Sequence, residues 1–213
     1  MEFTNAAELL ALCEKEEIGL GEAMLRRETA LTGAGREEIR ERMARSLLIM
    51  REAAATALAA PQKTMGGLIG GEAMALDARR KTASPVCGPL MARAIAIAMG
   101  TLEVNASMGL IVAAPTAGSC GVLPGALLSQ AEAFGFGEEQ LLDALLSAGA
   151  VGYLIARNAT VAGAEGGCQA EVGAASAMAA AAVTGLHGGS PQQALWAAGT
   201  ALVNLMGLVC DPI

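Results

Sequence analysis

Between Val172 and Cys210 the chain carries no Asp, Glu, Lys or Arg. A stretch that long without charge must lie against other protein or in lipid. Ser190-Pro191 interrupts it, and that pair reads as the N-cap and first residue of a new helix. Residues 172–186 are Ala-rich and short for a membrane span. Residues 194–210 are broken by Gly199 and Asn204 and have no basic anchors. The reading favoured over a membrane span is a buried helical pair. Aromatic residues make up only 2% of the chain, while hydrophobic residues make up 54%. A core of Ala, Gly and Met closes only if backbones approach one another closely, so the expected fold class is all-α, with helices packed tightly on helices and Gly-rich loops at the active site.

Charge gathers at the other end. Residues 1–81 hold 12 of the 14 basic and 13 of the 21 acidic residues. Asn5 is a plausible N-cap for a helix to about Glu16. A second helix begins near Leu20 and stops at Gly33-Ala34-Gly35. A third over 36–60 has Ile39, Met43, Leu47 and Met50 near one stripe and ends at Pro61. The 213 residues are expected to form a single helical domain, with 1–61 as a charged amphipathic cap and 82–213 as the buried core. Residues 62–84, with Gly66-Gly67 and Gly70-Gly71, look too broken for a stable helix alone, and Arg79-Arg80-Lys81 reads as a solvated turn or an anion site. Further helices are expected from Pro89 to Glu103, Leu123 to Phe134, Glu138 to Ile155, 170–186 and 191–209. Residues 105–114 are open between helix and strand.

The net charge of −7 and the lack of a basic patch with interleaved aromatics argue against a nucleic-acid partner. The Met1-Glu2-Phe3-Thr4 start does not look like a signal peptide. Five scattered cysteines make a poor disulfide framework and predict a reducing, cytoplasmic setting.

Two segments carry the chemical signals. In Gly163-Ala164-Glu165-Gly166-Gly167-Cys168-Gln169-Ala170-Glu171 a thiol follows glycines that permit close approach to a large object. Cys210 lies a helix, a turn and a returning helix away, so both sulfurs can face one point. The spacing suits zinc poorly and an iron–sulfur cluster better, but from spacing alone two buried structural thiols remain the favoured reading. In Ala114-Pro115-Thr116-Ala117-Gly118-Ser119-Cys120-Gly121 hydroxyls and backbone N–H groups precede a helix. That arrangement suits a small carboxylate, or is simply a capping loop. His187, followed by Gly188-Gly189, reads as a residue near a helix C-terminus. Lys63 is either a surface lysine or a base or carboxylate partner.

The blocks PTAGSCGVLPG (115–125), GAEGGCQAEVG (163–173) and GLVCDPI (207–213) resemble, in the same order, the α subunit of the iron–sulfur-dependent L-serine dehydratases. The resemblance implies a [4Fe–4S] cluster held by three cysteines, of which Cys168 and Cys210 match two. The third would follow Ile213, so the chain looks C-terminally truncated and inactive by itself, or a helical scaffold without a cluster. It implies deamination of L-serine to pyruvate and ammonia without pyridoxal phosphate. Thr116, Ala117, Gly118 and Ser119 are the implied carboxylate site, with Thr116 foremost. A β subunit with a Ser-Ser-His-Thr type motif is the implied partner and the expected source of the base, in an αβ heterodimer or its multiple. Cys120 is not expected to be a ligand. Activity on L-threonine stays open.

Overall fold

The computed structural model describes residues 2–206, and among these the regular structure is entirely helical. The helices are α1 (Ala6–Glu16), α2 (Leu20–Thr32), α3 (Arg36–Ala59), α4 (Glu72–Thr82), α5 (Gly88–Ala106), α6 (Val122–Phe134), α7 (Glu138–Asn158), α8 (Gly163–Leu186) and α9 (Pro191–Leu205). The all-α expectation holds, and most termini fall where local chemistry puts them. Asn5 accepts from the Glu8 amide to open α1, and Ser190 forms a reciprocal capping box with Gln193 to open α9. Gly33 takes a left-handed conformation (φ 71°) to close α2. Residues 107–121, open between helix and strand in part, form an irregular connection of turns.

The chain divides into two compact units, residues 1–45 with 137–213 and residues 46–136. In the first, α2 packs on α7, α7 on α8, and α8 on α9. Leu25, Ile39 and Leu146 form one core cluster there, with Ala34 and Met43 against it. A Cβ on Gly21 would sit 2.5 Å from the Asp143 carbonyl oxygen, so α2 and α7 meet backbone to backbone. Arg27 lies 3.7 Å from the centroid of the Tyr153 ring, and Phe3 meets that ring edge-on. The uncharged run is only partly buried. Ala174, Ala175, Ala177, Met178, Ala181 and Ala182 of α8 are buried, but Trp196 and Val203 of α9 are 64% and 69% exposed. Helix α9 separates its faces with Gln192, Gln193, Thr200 and Asn204 on the exposed side, so the absence of charge did not mean burial.

The second unit is built on α5, which packs against α4 and α6. Small residues set the spacing. A Cβ on Gly121 would fall 2.2 Å from the Ala98 carbonyl oxygen, and one on Gly125 2.7 Å from that of Ala94. Helix α4 corrects two expectations. The Gly-interrupted region does hold a helix, because the buried Glu103 of α5 caps it: its carboxylate accepts from the amides of Gly71 (2.9 Å) and Ala73 (2.8 Å). An anion at a helix start is favoured by the dipole as well as by the bonds.

Nor is Arg79-Arg80-Lys81 a turn. It is the last turn of α4, and buried Asp77 accepts from Arg80 Nε (2.7 Å) and Arg93 (2.7 Å) and pairs with Lys81 (2.5 Å). Burial alone would push the Asp77 carboxyl up. The bonds from Lys81 and Arg80 and the charge of Arg93 overcome that and bring it from 3.8 down to about 2. A depressed carboxyl stabilises the fold fully above its ordinary value, and that contribution disappears as pH falls through the folded value. Denaturant melts between pH 5 and pH 2 should therefore show a loss of about 2 kcal/mol from this group. An Asp77→Asn variant should be less stable at pH 5 and lack that part of the acid slope; an identical slope in the variant would refute the assignment.

Candidate functional site

The segment between α5 and α6 enters through a cis Ala114–Pro115 peptide bond and turns over residues 116–121. Its carbonyls are bonded inward. The Thr116 carbonyl accepts from the Ala114 amide (3.3 Å) and from Ser119 Oγ (3.4 Å). The Ala117 carbonyl accepts from the Cys120 amide (3.3 Å) and from Asn105 Nδ2 (3.0 Å). In a trans peptide the N–H points opposite the C=O. Fixing these two carbonyls therefore turns out the next two amides, those of Ala117 and Gly118. Both residues are exposed, and neither amide has a backbone acceptor among the described residues. Two outward amides just before α6 are donors of the kind that can receive a small anion.

The four residues singled out in sequence thus separate in role. Ala117 and Gly118 present donors, and Thr116 is half-buried beside them. Ser119 is buried, with its Oγ 3.1 Å from Thr116 Oγ1 and 3.4 Å from the Ala114 carbonyl, so its hydroxyl supports the loop from inside. Buried Cys120 has its thiol pushed by burial up to about 11, which keeps it protonated in the fold as it stands. Asn105 and Glu103 escaped the sequence reading. Their polar side chains within an apolar helix ahead of a Ser-Met-Gly stop were the available signal.

Lys63 is exposed and lies one residue before Thr64, whose hydroxyl donates to the Ile69 carbonyl. The Met65 amide donates to the Ala106 carbonyl (2.9 Å), so the Gly-rich segment hangs from the same end of α5 as the donor loop. His187 is the C-cap of α8, near the helix end as the sequence suggested.

In the other unit, α8 contains a break at Gly167 (φ 71°, ψ 179°), a conformation that suits glycine. Cys168 follows it, so the thiol stands at the start of the long helical run and is exposed. The neighbouring glycines have a reason the sequence did not reveal. A Cβ on Gly163 would meet the Glu171 carboxylate at 2.8 Å, and one on Gly166 the Ala170 side chain at 2.7 Å. The chain's own atoms need that space.

Helix α9 returns antiparallel to α8: Gly173 lies against Leu202, and Leu205 and Met206 share a cleft of about 550 Å³ with Gly166, Gln169 and Ala170. The described chain therefore ends beside the Cys168 turn. Cys210 lies outside the described residues. Among the described residues no three His, Cys, Asp or Glu side chains converge on a metal position, and no helix is long and apolar enough to cross a membrane.

Among the described residues the regular structure is helical, with outward amides ahead of α6 in one unit and an exposed helix-start thiol in the other. Residues 15–213 match the family model described as serine dehydratase alpha chain, and the chain belongs to that family. It is 41% identical over 211 residues to the probable L-serine dehydratase alpha chain of Bacillus subtilis, covering 99% of this chain and 70% of that one. Against the L-serine dehydratase alpha chain of Peptoniphilus asaccharolyticus it is 40% identical, covering 99% of this chain and 72% of the relative. The L-serine dehydratase TdcG of Escherichia coli is 35% identical over 218 residues, all of this chain but 47% of that protein.

Proposed function

We propose that this chain is the α subunit of a cytoplasmic, [4Fe–4S]-dependent L-serine dehydratase, a lyase that deaminates L-serine to pyruvate and ammonia. Family membership across residues 15–213 carries the reading, and the relatives named for that activity support it. The donor set is compatible. Cys168 is an exposed thiol at a helix start, and Cys210 is four residues beyond Met206, which lies beside the Cys168 turn. Cys168 and Cys210, with a third thiolate, would hold the cluster, as the family resemblance implies. When bound, such a cluster supplies a Lewis-acid iron that polarises the leaving hydroxyl.

The chain's own part is binding and orientation. The outward amides of Ala117 and Gly118, with the Thr116 hydroxyl, would grip the serine carboxylate. A carboxylate held by two amides fixes the direction of the Cα–H bond, which a positioned base must reach. That base is assigned to a partner β subunit carrying a Ser-Ser-His-Thr type motif, as the family resemblance implies; the relatives' name, alpha chain, supports a second chain.

The test is anaerobic iron–sulfide loading of the chain assembled with its partner, followed by assay on L-serine. Release of pyruvate and ammonia in equal amounts is expected. A loaded assembly with no turnover of L-serine would overturn the reading.

A further inference from the structure

We infer that Asn105 is a positioning residue for the substrate: its side-chain amide pins the Ala117 carbonyl and thereby aims the Gly118 N–H at the substrate carboxylate. The inference rests on the carboxylate seat proposed above and adds the residue that holds it in shape. Asn105 stands in the last turn of α5, twelve residues before the carbonyl it holds at 3.0 Å. It is half-buried, and its helix is fixed on both sides, by α4 and by α6. The loop itself is exposed at Ala117 and Gly118 and offers the Ala117 carbonyl one other donor, the Cys120 amide at 3.3 Å. Rotation of the Ala117–Gly118 peptide would swing that carbonyl outward and the N–H inward. An outward carbonyl would repel a carboxylate where an amide should greet it. The bond from Asn105 opposes that rotation, and it does so from a rigid helix rather than from within the loop.

The expected signature is weaker binding with little change in chemistry. A neutral hydrogen bond of this kind is worth about 1 kcal/mol, or roughly five- to tenfold in binding. In the loaded assembly, Asn105→Ala should raise KM for L-serine by about that factor while kcat stays within about twofold. L-Alanine offers the same carboxylate and ammonium without the leaving hydroxyl, and its inhibition constant should rise in parallel. Asn105→Asp has the same shape but no donor and adds a negative charge near the seat. It should raise both constants further, and it keeps the test open if the alanine variant folds poorly.

Thr116→Val separates the two levels of the argument. If it raises KM and the L-alanine constant while neither Asn105 variant does, the positioning role fails and the seat stands. If Thr116→Val and both Asn105 variants leave KM and the inhibition constant unchanged, the seat itself is wrong. A loss confined to kcat in the Asn105 variants would also overturn the inference.

Discussion

Replacing Gly121 with alanine should lower the stability of the protein by about 3 kcal/mol, and with valine should leave little folded material. The reason is geometric. The added carbon would lie 2.2 Å from the Ala98 carbonyl oxygen and 2.9 Å from its carbonyl carbon. These are backbone atoms in the middle of α5, so no side chain can rotate away. Relief requires α6 to move off α5, and Gly125, one turn later, is also held close, its added carbon 2.7 Å from the Ala94 carbonyl oxygen. The shift would strip burial from Leu123, Leu127 and Leu128 and would displace the donor loop that enters α6. For a chain of this size each kcal/mol moves the melting temperature by about 2–4 °C, so Gly121→Ala should melt about 6–12 °C lower. Gly199 is the control: nothing lies within 4 Å of its added carbon, and it sits inside α9. Gly199→Ala should hold or raise stability, by up to about 1 kcal/mol from helix propensity. Equal melting of Gly121→Ala and the parent protein would show that α5 and α6 are not packed as described.

The second large effect is expected at Cys168. In the proposed cluster-bearing subunit, Cys168→Ser should abolish the brown colour and the bound iron and sulfide obtained by anaerobic loading. A serine hydroxyl is a hard, weakly acidic donor and a poor replacement for a soft thiolate. Because the side chain is exposed, the substitution should change the stability of the metal-free chain by no more than about 0.5 kcal/mol. Loss of colour without loss of fold is the informative pair. Cys13 and Cys120 provide the contrast, since burial pushes both thiols up to about 11 and keeps them as neutral core groups. Their serine variants should lose stability yet take up iron in proportion to the folded fraction. Cys87 is exposed at the start of α5, and its serine variant should alter neither measure. Full iron and colour in Cys168→Ser would remove this residue from the ligand set.

Much of the architecture was legible because it is written locally. Asn5, Gly33, Pro61 and Ser190-Pro191 act on their own chain neighbours, so the limits of α1, α2 and α3 and the start of α9 could be read within a residue or two, whereas α9 ends at Leu205, four residues before the expected 209. That a loop of hydroxyls and small residues, Thr116 through Ser119, precedes the start of α6 was legible for the same reason. What failed was any inference that depended on a distant partner. Helix α4 looked impossible among its glycines, because its cap is a carboxylate thirty residues away on α5. The basic triplet read as a turn, because the string does not show that Asp77 meets Arg93 of α5 and anchors the end of α4; the solvated part of that reading stands for Arg79 and Lys81, which are exposed. The glycines before Cys168 also have close neighbours in the chain itself, Glu171 at Gly163 and Ala170 at Gly166, which the string does not display.

The amino-acid string by itself determined the helical class, most helix limits and the two segments where polar chemistry gathers, since periodicity, capping and small-residue content act over a few residues. Tertiary structure alone decided that Ser119 faces inward while Ala117 and Gly118 face out, that Asn105 steadies their loop, and that Gly121 and Gly125 bring α6 onto the backbone of α5. Each of those depends on which surfaces meet when helices pack, and a hydrogen bond or a missing methyl has its effect only where a remote atom arrives to receive it.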